Sequence, residues 1–439
     1  MPLLLPCALS LFLALQNPLP VDQVWEDVVL DNGIRVALVN APHAAHQVVF
    51  TILPWGLLDD EAGQLQRSHL AEHILVHSAD PTSDVPEVNG VLRNGETMSL
   101  SMRLETFAKP DDWRAGLERH ARWLSVGQSD SELLSRILER ERGAVRAEVA
   151  NSSASGFSHK WAVASWNQVV RHGASDVSIS GDVNSVEWGP LFADLSRRVR
   201  SGTGVQMVSV GPVDREEQKV FFAKIIGSLP ARSWKASVPS VSPAQITAVA
   251  DREATWDIDS VQYMSWYLMP DESALDRVAA DALSAVVNAR LRQRGVLLQD
   301  EINAFSSADL VTPEGRWLLI SATIPVDLPL APVVALINEV VDGLTELPEA
   351  RVVIDEMERQ LGTWPDFDAL RRQAAGQPNL RWIEASQALF MIYAQLNMGL
   401  HRHELLRAYE GLTTAVLEEI VQQYLVPDKR STLILRPRT

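Results

Sequence analysis

The chain has 439 residues, 46% of them apolar and 22% charged, which supports two folded domains and argues against an intrinsically disordered protein. A net charge of −17 with no basic tract argues against nucleic acid as a partner. Cys7 is the only cysteine, so an internal disulfide framework is excluded; with the N-terminal leader that carries it removed, thiolate ligands are excluded too and any metal must use histidines and carboxylates.

Residues 2 to 15, PLLLPCALSLFLAL, are too short to cross a bilayer as a helix and have the length of a signal-peptide core. Residues 1–20 are therefore read as a leader, and the mature chain as an exported, periplasmic or extracellular protein without a membrane span. The leader is atypical, because no Lys or Arg precedes Arg35; an apolar arm packed on the body and a misassigned start are the alternatives. VVLDNGIRVALVN (28–40), turning at Asp31-Asn32-Gly33, predicts a β-hairpin, and QVVFTILPWG a third strand. A helix is expected over HLAEHILVHSA, a strand over TMSLSMRLET (97–106), and helices over DWRAGLERHARWLSVG and DSELLSRILERERGAVRAEVA. A strand at 204–214 and a helix ending near Gly227 follow.

Residues 236–249, rich in Ser and Pro and without periodicity, separate a first domain, 24–235, from a second, 250–437. The second repeats the order loosely: strand VQYMSWYLM, helix SALDRVAADALSAVVNARLRQRG, strand GRWLLISATIP, helices, and a last strand STLILRP in the place of GVQMVSV. The expected fold class is α/β to α+β, with two homologous domains, each a mostly antiparallel mixed sheet flanked by helices.

RSHLAEHILVHSAD (67–80) carries three histidines and a glutamate. His69 and His73, four apart on one helix face, can share a metal at about 2.0–2.1 Å. Glu72 flanks them, suited to taking a proton from water at the metal. His77 lies roughly 12 Å from His69 along the axis and cannot complete the same set, so it reads as a helix-end or supporting residue. The bland alternative is a solvated helix with incidental histidines.

A later helix weighs against that alternative. At 100° per residue Leu134, Ile137, Leu138, Ala144 and Val145 share a stripe with Glu141 and Glu148, while Arg136, Arg140, Arg142, Arg146, Glu132 and Glu139 point away. Carboxylates on a core-facing stripe are costly without a cation or hydrogen bonds, which makes these two the candidates to meet the His pair. They are about 10 Å apart along the axis, so one can ligate directly and the other can only support; glutamates snorkelling at the stripe's edge are the alternative. A His-His-Glu set leaves a position for water, the arrangement of a catalytic zinc, one Zn2+ per chain, with amide hydrolysis as the natural chemistry.

On these residues the sequence resembles the pitrilysin/insulinase family of zinc peptidases, whose H-x-x-E-H motif is followed by a distant ligand glutamate. Here His69-Leu70-Ala71-Glu72-His73 is followed by Glu148, 75 positions past His73, and ERGAVRAE (141–148) is similar to the family stretch that supports and then binds zinc. The resemblance implies His69, His73 and Glu148 as metal ligands, Glu72 as general base and Glu141 as a supporting catalytic residue. LDNGIRVALV, Gly56 to Glu61 and Asn94 are similar as well. The resemblance also implies that strand 97–106 is a sheet edge pairing with an extended peptide, with Asn94 at its entrance and Thr97, Met98 and Ser99 against the substrate. Met98, Leu100, Met102 and Leu104 alternate as a half-buried strand requires, and an interior strand is the alternative.

Two such domains would form one half of a clamshell, which a second chain completes. In the family the half without zinc contributes an arginine and a tyrosine from a segment like L-R-x-x-x-G-x-x-Y. Here NARLRQRGVLLQDEINAF has Leu298 at the tyrosine position and none of the five tyrosines nearby, which favours a related partner subunit over a homodimer. The expected function is a zinc-dependent endopeptidase or oligopeptidase acting on extended peptides. The alternative is a non-catalytic assembly or peptide-binding subunit of the same family, against which the complete motif argues.

Overall fold

The computed structural model describes residues 18–80, 87–88, 90–126, 131–154, 159–178, 181–200, 204–231, 251–295, 304–312, 315–367 and 383–438. Residues 1–17 of the expected leader, the Ser/Pro-rich linker and Leu298 lie outside them. The chain divides into two compact units, one formed by residues 1–147, 182–237 and 362–394, the other by 148–181, 238–361 and 395–439.

In the first unit β1 (Trp25–Val29) and β2 (Arg35–Asn40) make the expected hairpin, turned through Gly33 at φ 85°, where a side chain would be strained. Buried Asn32 holds the turn, donating to the Ile226 carbonyl at 2.7 Å and accepting from the Ile34 amide at 3.2 Å. β3 (Gln47–Leu53) is buried along its whole length, as a central strand must be. With β4 (Glu87–Val88), β5 (Val91–Thr97), β6 (Met102–Ala108) and β7 (Gln206–Gly211) it forms a sheet ordered β1-β2-β7-β3-β6-β5-β4. The β2–β7 pair is parallel and the others are antiparallel. Helix α1 (Arg67–Ser78) packs on β5 and β6, and α2 (Trp113–Leu124) on β3 and β6; α3 (Ser131–Ala154) follows.

The expected strand over 97–106 is replaced by the end of β5, a turn at 98–101 and the start of β6. Met98 donates to the Ser101 carbonyl at 2.8 Å, and the amides of Leu57 and Leu58 donate to the Met98 and Ser99 carbonyls, each at 3.0 Å. Gly56 is required beside this turn, because a Cβ there would collide with both of those carbonyls. Polar and apolar residues alternate through the turn as they would in a strand, which is why periodicity reads straight across it. The sheet edge is therefore β5, while β6 lies inside, between β3 and β5. β4 pairs only with Val91 and Leu92, and among the described residues no strand pairs with the outer side of 93–97.

The second unit's sheet contains β8 (Arg252–Trp256), β9 (Val261–Met269), β10 (Ala304–Thr312), β11 (Gly315–Ile324) and β12 (Arg430–Pro437), ordered β10-β11-β9-β12-β8 and extended by Asp176–Val177. β12 runs parallel to β8 and antiparallel to β9, as β7 does to β2 and β3. Helix α4 (Ala274–Gly295) lies between β9 and β10 in the chain, as α1 lies between β3 and β5. The second sheet thus repeats the first, with β12 in the place of β7. No histidine occurs on α4. No helix among the described residues is long and apolar enough to cross a membrane.

Inside the second unit Trp166 packs on Trp266 and Trp317, with ring centroids 4.5 and 4.7 Å away. Next to them Arg316, 0% exposed, donates to Asp271 at 3.0 Å, to the Asn397 carbonyl at 2.8 Å and to Asp309. Burial pushes the Asp309 carboxyl up to about 7 against the pull of Arg316. Removing one member of a buried ion set strands the others. Arg316→Met should lower unfolding stability by about 3–5 kcal/mol in urea titrations; a loss below about 1 kcal/mol, the scale of an exposed ion pair, would show that the set is solvated.

Candidate metal centre

The start of α1 is fixed before its histidines are placed. Gln66, the residue before the helix, has φ 79°, in the left-handed region that side-chain-bearing residues seldom adopt. Buried Asp60 takes the place of a cap: its two carboxylate oxygens accept from the amides of Gln66 at 2.9 Å and Ser68 at 2.8 Å. Burial raises the Asp60 carboxyl, and these amides pull against it. Arg67, 4% exposed, is held by Glu61 and Asp194.

His69 and His73 lie on one face of α1 as expected, with ring centroids 5.0 Å apart and planes at 69°. His69 Nδ1 is 3.0 Å from Gln66 Oε1, and His73 Nδ1 is 3.1 Å from Glu141 Oε2. Facing oxygen acceptors, each Nδ1 carries its proton and leaves the Nε2 lone pair for a metal. Glu72, 5% exposed, accepts at Oε2 from the Thr97 hydroxyl at 2.8 Å. One ligand atom from each of His69, Glu72 and His73 falls within 4.8 Å of the others. These donors fit a zinc ion: two imidazoles with anchored rings and an adjoining carboxylate.

Gly95 on β5 allows Glu72 its position. A Cβ at residue 95 would stand 2.5 Å from Glu72 Oε1 and 2.8 Å from its Cγ. Gly95 and Thr97 both meet Glu72, so the alternating Asn94 and Glu96 face the other side of the sheet. Asn94 is exposed and donates to Glu105 Oε1 at 2.6 Å. Arg103 bridges Glu96 at 2.6 Å and Glu105 at 2.9 Å. Met98 and Ser99, expected against the substrate, sit in the turn after β5, where their carbonyls accept from the Leu57 and Leu58 amides.

On α3 the expected stripe is partly realised. Leu134, Ile137, Leu138, Glu141, Val145 and Val149 are buried, whereas Ala144 and Glu148 are exposed, because in its later turns the helix buries only a narrow i,i+4 strip. Glu141 meets His73 and also accepts from Arg140 Nε at 2.7 Å, with His77 Nε2 at 3.6 Å. Burial would raise its carboxyl, but the bond with His73, the His77 charge and the Arg140 bond bring it down to about 2. Burial also lowers the His77 imidazole, against the pull of Glu141. Glu148 lies two turns beyond Glu141, the first residue of the second unit, and belongs to neither ligand group found among the described residues, His69–Glu72–His73 and His73–His77–Glu141.

The parts played by Gln66, Gly95 and Arg103 depend on contacts across elements and leave no mark in the sequence, while Asp60 falls within the family-like stretch Gly56 to Glu61 without its capping role being visible there. Tyr393, on α5 (Ile383–Met398), is half-buried in the first unit with its hydroxyl turned inward beside Arg103, and burial of that group pushes it up to about 12.

No protein-family model and no curated protein sequence matches the chain. Solved structures match over nearly its whole length. A protease from Helicobacter pylori is similar with 16% identity and a TM-score of 0.67, over 95% of this chain and all of that one. A peptidase M16 inactive domain from Pseudomonas fluorescens matches with 14% identity and a TM-score of 0.61, over 94% of this chain and 98% of that one. Pitrilysin matches with 17% identity and a TM-score of 0.58, over 97% of this chain but 46% of its own. The chain has the mixed α/β fold of these M16 peptidase structures and corresponds to about half the length of pitrilysin.

Proposed function

We propose that the chain is a zinc-dependent endopeptidase or oligopeptidase of the pitrilysin/insulinase type that cleaves extended peptides. The observation that carries this reading is the anchoring of both α1 imidazoles through Nδ1 beside Glu72. His69 and His73 would hold the ion through Nε2, and the 75-residue spacing to Glu148 is the ground for naming that residue as the third ligand. When bound, zinc supplies a Lewis acid that polarises the scissile carbonyl and acidifies water. Glu72, held at Oε2 by Thr97, takes the proton of the attacking water and returns it to the leaving amine. Glu141 keeps the His73 ring in place. The side of β5 at 94–97 with which no described strand pairs would receive the peptide as an added strand, bringing its backbone near the Thr97–Glu72 pair.

An inactive domain shares the fold, so activity is argued from the residues and not from the fold. An intact base gives a binding-only subunit no advantage. The match to half of pitrilysin supports a second, related chain that completes the chamber. Acidic character favours basic peptides as substrates.

Two outcomes test this function on the full chain with its co-purifying partner. Glu72→Gln should retain bound zinc and lose peptide cleavage, whereas Glu148→Gln should lose much of both; equal zinc and equal cleavage in wild type and both variants would defeat the proposal. Gly95→Ala should displace the base and reduce turnover by about 100-fold with zinc content unchanged, and wild-type turnover in that variant would mean that Glu72 is not the base.

A further inference from the structure

α1 carries a third histidine that the proposed hydrolysis does not use. His77 stands one turn beyond His73, with Nε2 3.6 Å from Glu141 Oε1, while His73 Nδ1 is 3.1 Å from Glu141 Oε2. One ligand atom from each of the three residues lies within 4.8 Å of the others. Tetrahedral zinc with bonds of about 2.0–2.1 Å separates its donors by roughly 3.4 Å, close to the 3.1 and 3.6 Å found here. The three side chains are 15%, 18% and 7% exposed, so an ion can reach them.

We propose that His73 Nδ1, His77 Nε2 and Glu141 form a second seat for a borderline divalent cation such as Zn2+ or Co2+, and that the two seats exclude one another. A neutral imidazole has a single lone pair. With a metal on Nε2, His73 keeps its proton on Nδ1 and donates to Glu141; with a metal on Nδ1, the proton sits on Nε2 and the first seat loses a ligand. Glu141 therefore acts either as hydrogen-bond acceptor or as metal ligand. The Arg140 guanidinium, 2.7 Å from Glu141 Oε1, opposes a cation here and makes this seat the weaker. It fills when the first seat is impaired, holding an ion one ring-width from the hydrolytic position. The inference rests on the assignment of His69 and His73 as the first pair.

The test titrates metal-free full chain with Co2+ alone, followed by visible absorption, equilibrium dialysis and melting temperature. Wild type and His77→Ala should each bind one Co2+ with the same spectrum. His69→Ala and the closer replacement His69→Asn should keep one Co2+, more weakly held and with a changed spectrum. Adding His77→Ala to either should abolish that binding and the rise in Tm it confers. Binding in the His69 variants that ignores His77→Ala, no binding in either His69 variant, or two Co2+ per wild-type chain would overturn the second seat. Absence of Co2+ binding by wild type would instead overturn the hydrolytic reading.

Discussion

The oxygen acceptors on the two Nδ1 atoms are the constraint on which the candidate centre depends. A free imidazole divides its proton between two nitrogens and rotates about χ2, and both freedoms oppose metal binding. Gln66 removes them from His69 and Glu141 removes them from His73. The two anchors come from different places in the chain, one from the turn that starts α1 and one from α3. Their agreement is a product of the fold, since no local sequence preference would bring Glu141 to His73 across 68 positions.

The sheet supplies the remaining positioning through its twofold alternation. On one face of β5, Gly95 leaves room for Glu72 and Thr97 holds its carboxylate; on the other, Asn94 and Glu96 join Glu105 and Arg103. One strand therefore separates the groups that hold the base from the groups that line the opposite face. The second unit repeats the topology with a helix that carries no histidine, so a shared architecture bears the candidate chemistry in one copy only.

The helix of His69 and His73 was legible because an i,i+4 pair needs only local geometry, and the burial of Glu141 because 100° stepping put it among Leu134, Leu138 and Val145. The same stepping placed Ala144 and Glu148 inward, although α3 buries little beyond Val145 and Val149 there. The β5–β6 hairpin was illegible for the opposite reason: Asn94 and Gly95 suppress a strand assignment in the real edge, while Met98 to Ser101 turn the chain without Gly or Pro. Gln66 at φ 79° carries no sequence signal, and the stretch Gly56 to Glu61 does not show that Asp60 caps a helix, because each acts through a backbone conformation or a contact that only the folded chain contains. The duplication was legible from element order, and its register awaited the strand pairings.

Anomalous X-ray scattering at the zinc edge, from crystals of the full chain equilibrated with equimolar Zn2+, tests the centre most directly. The account predicts one peak about 2.0–2.1 Å from Nε2 of both His69 and His73, with Glu141 still on His73 Nδ1. A difference map with no zinc at that pair, or with zinc bound elsewhere while both rings remain unligated, would contradict it.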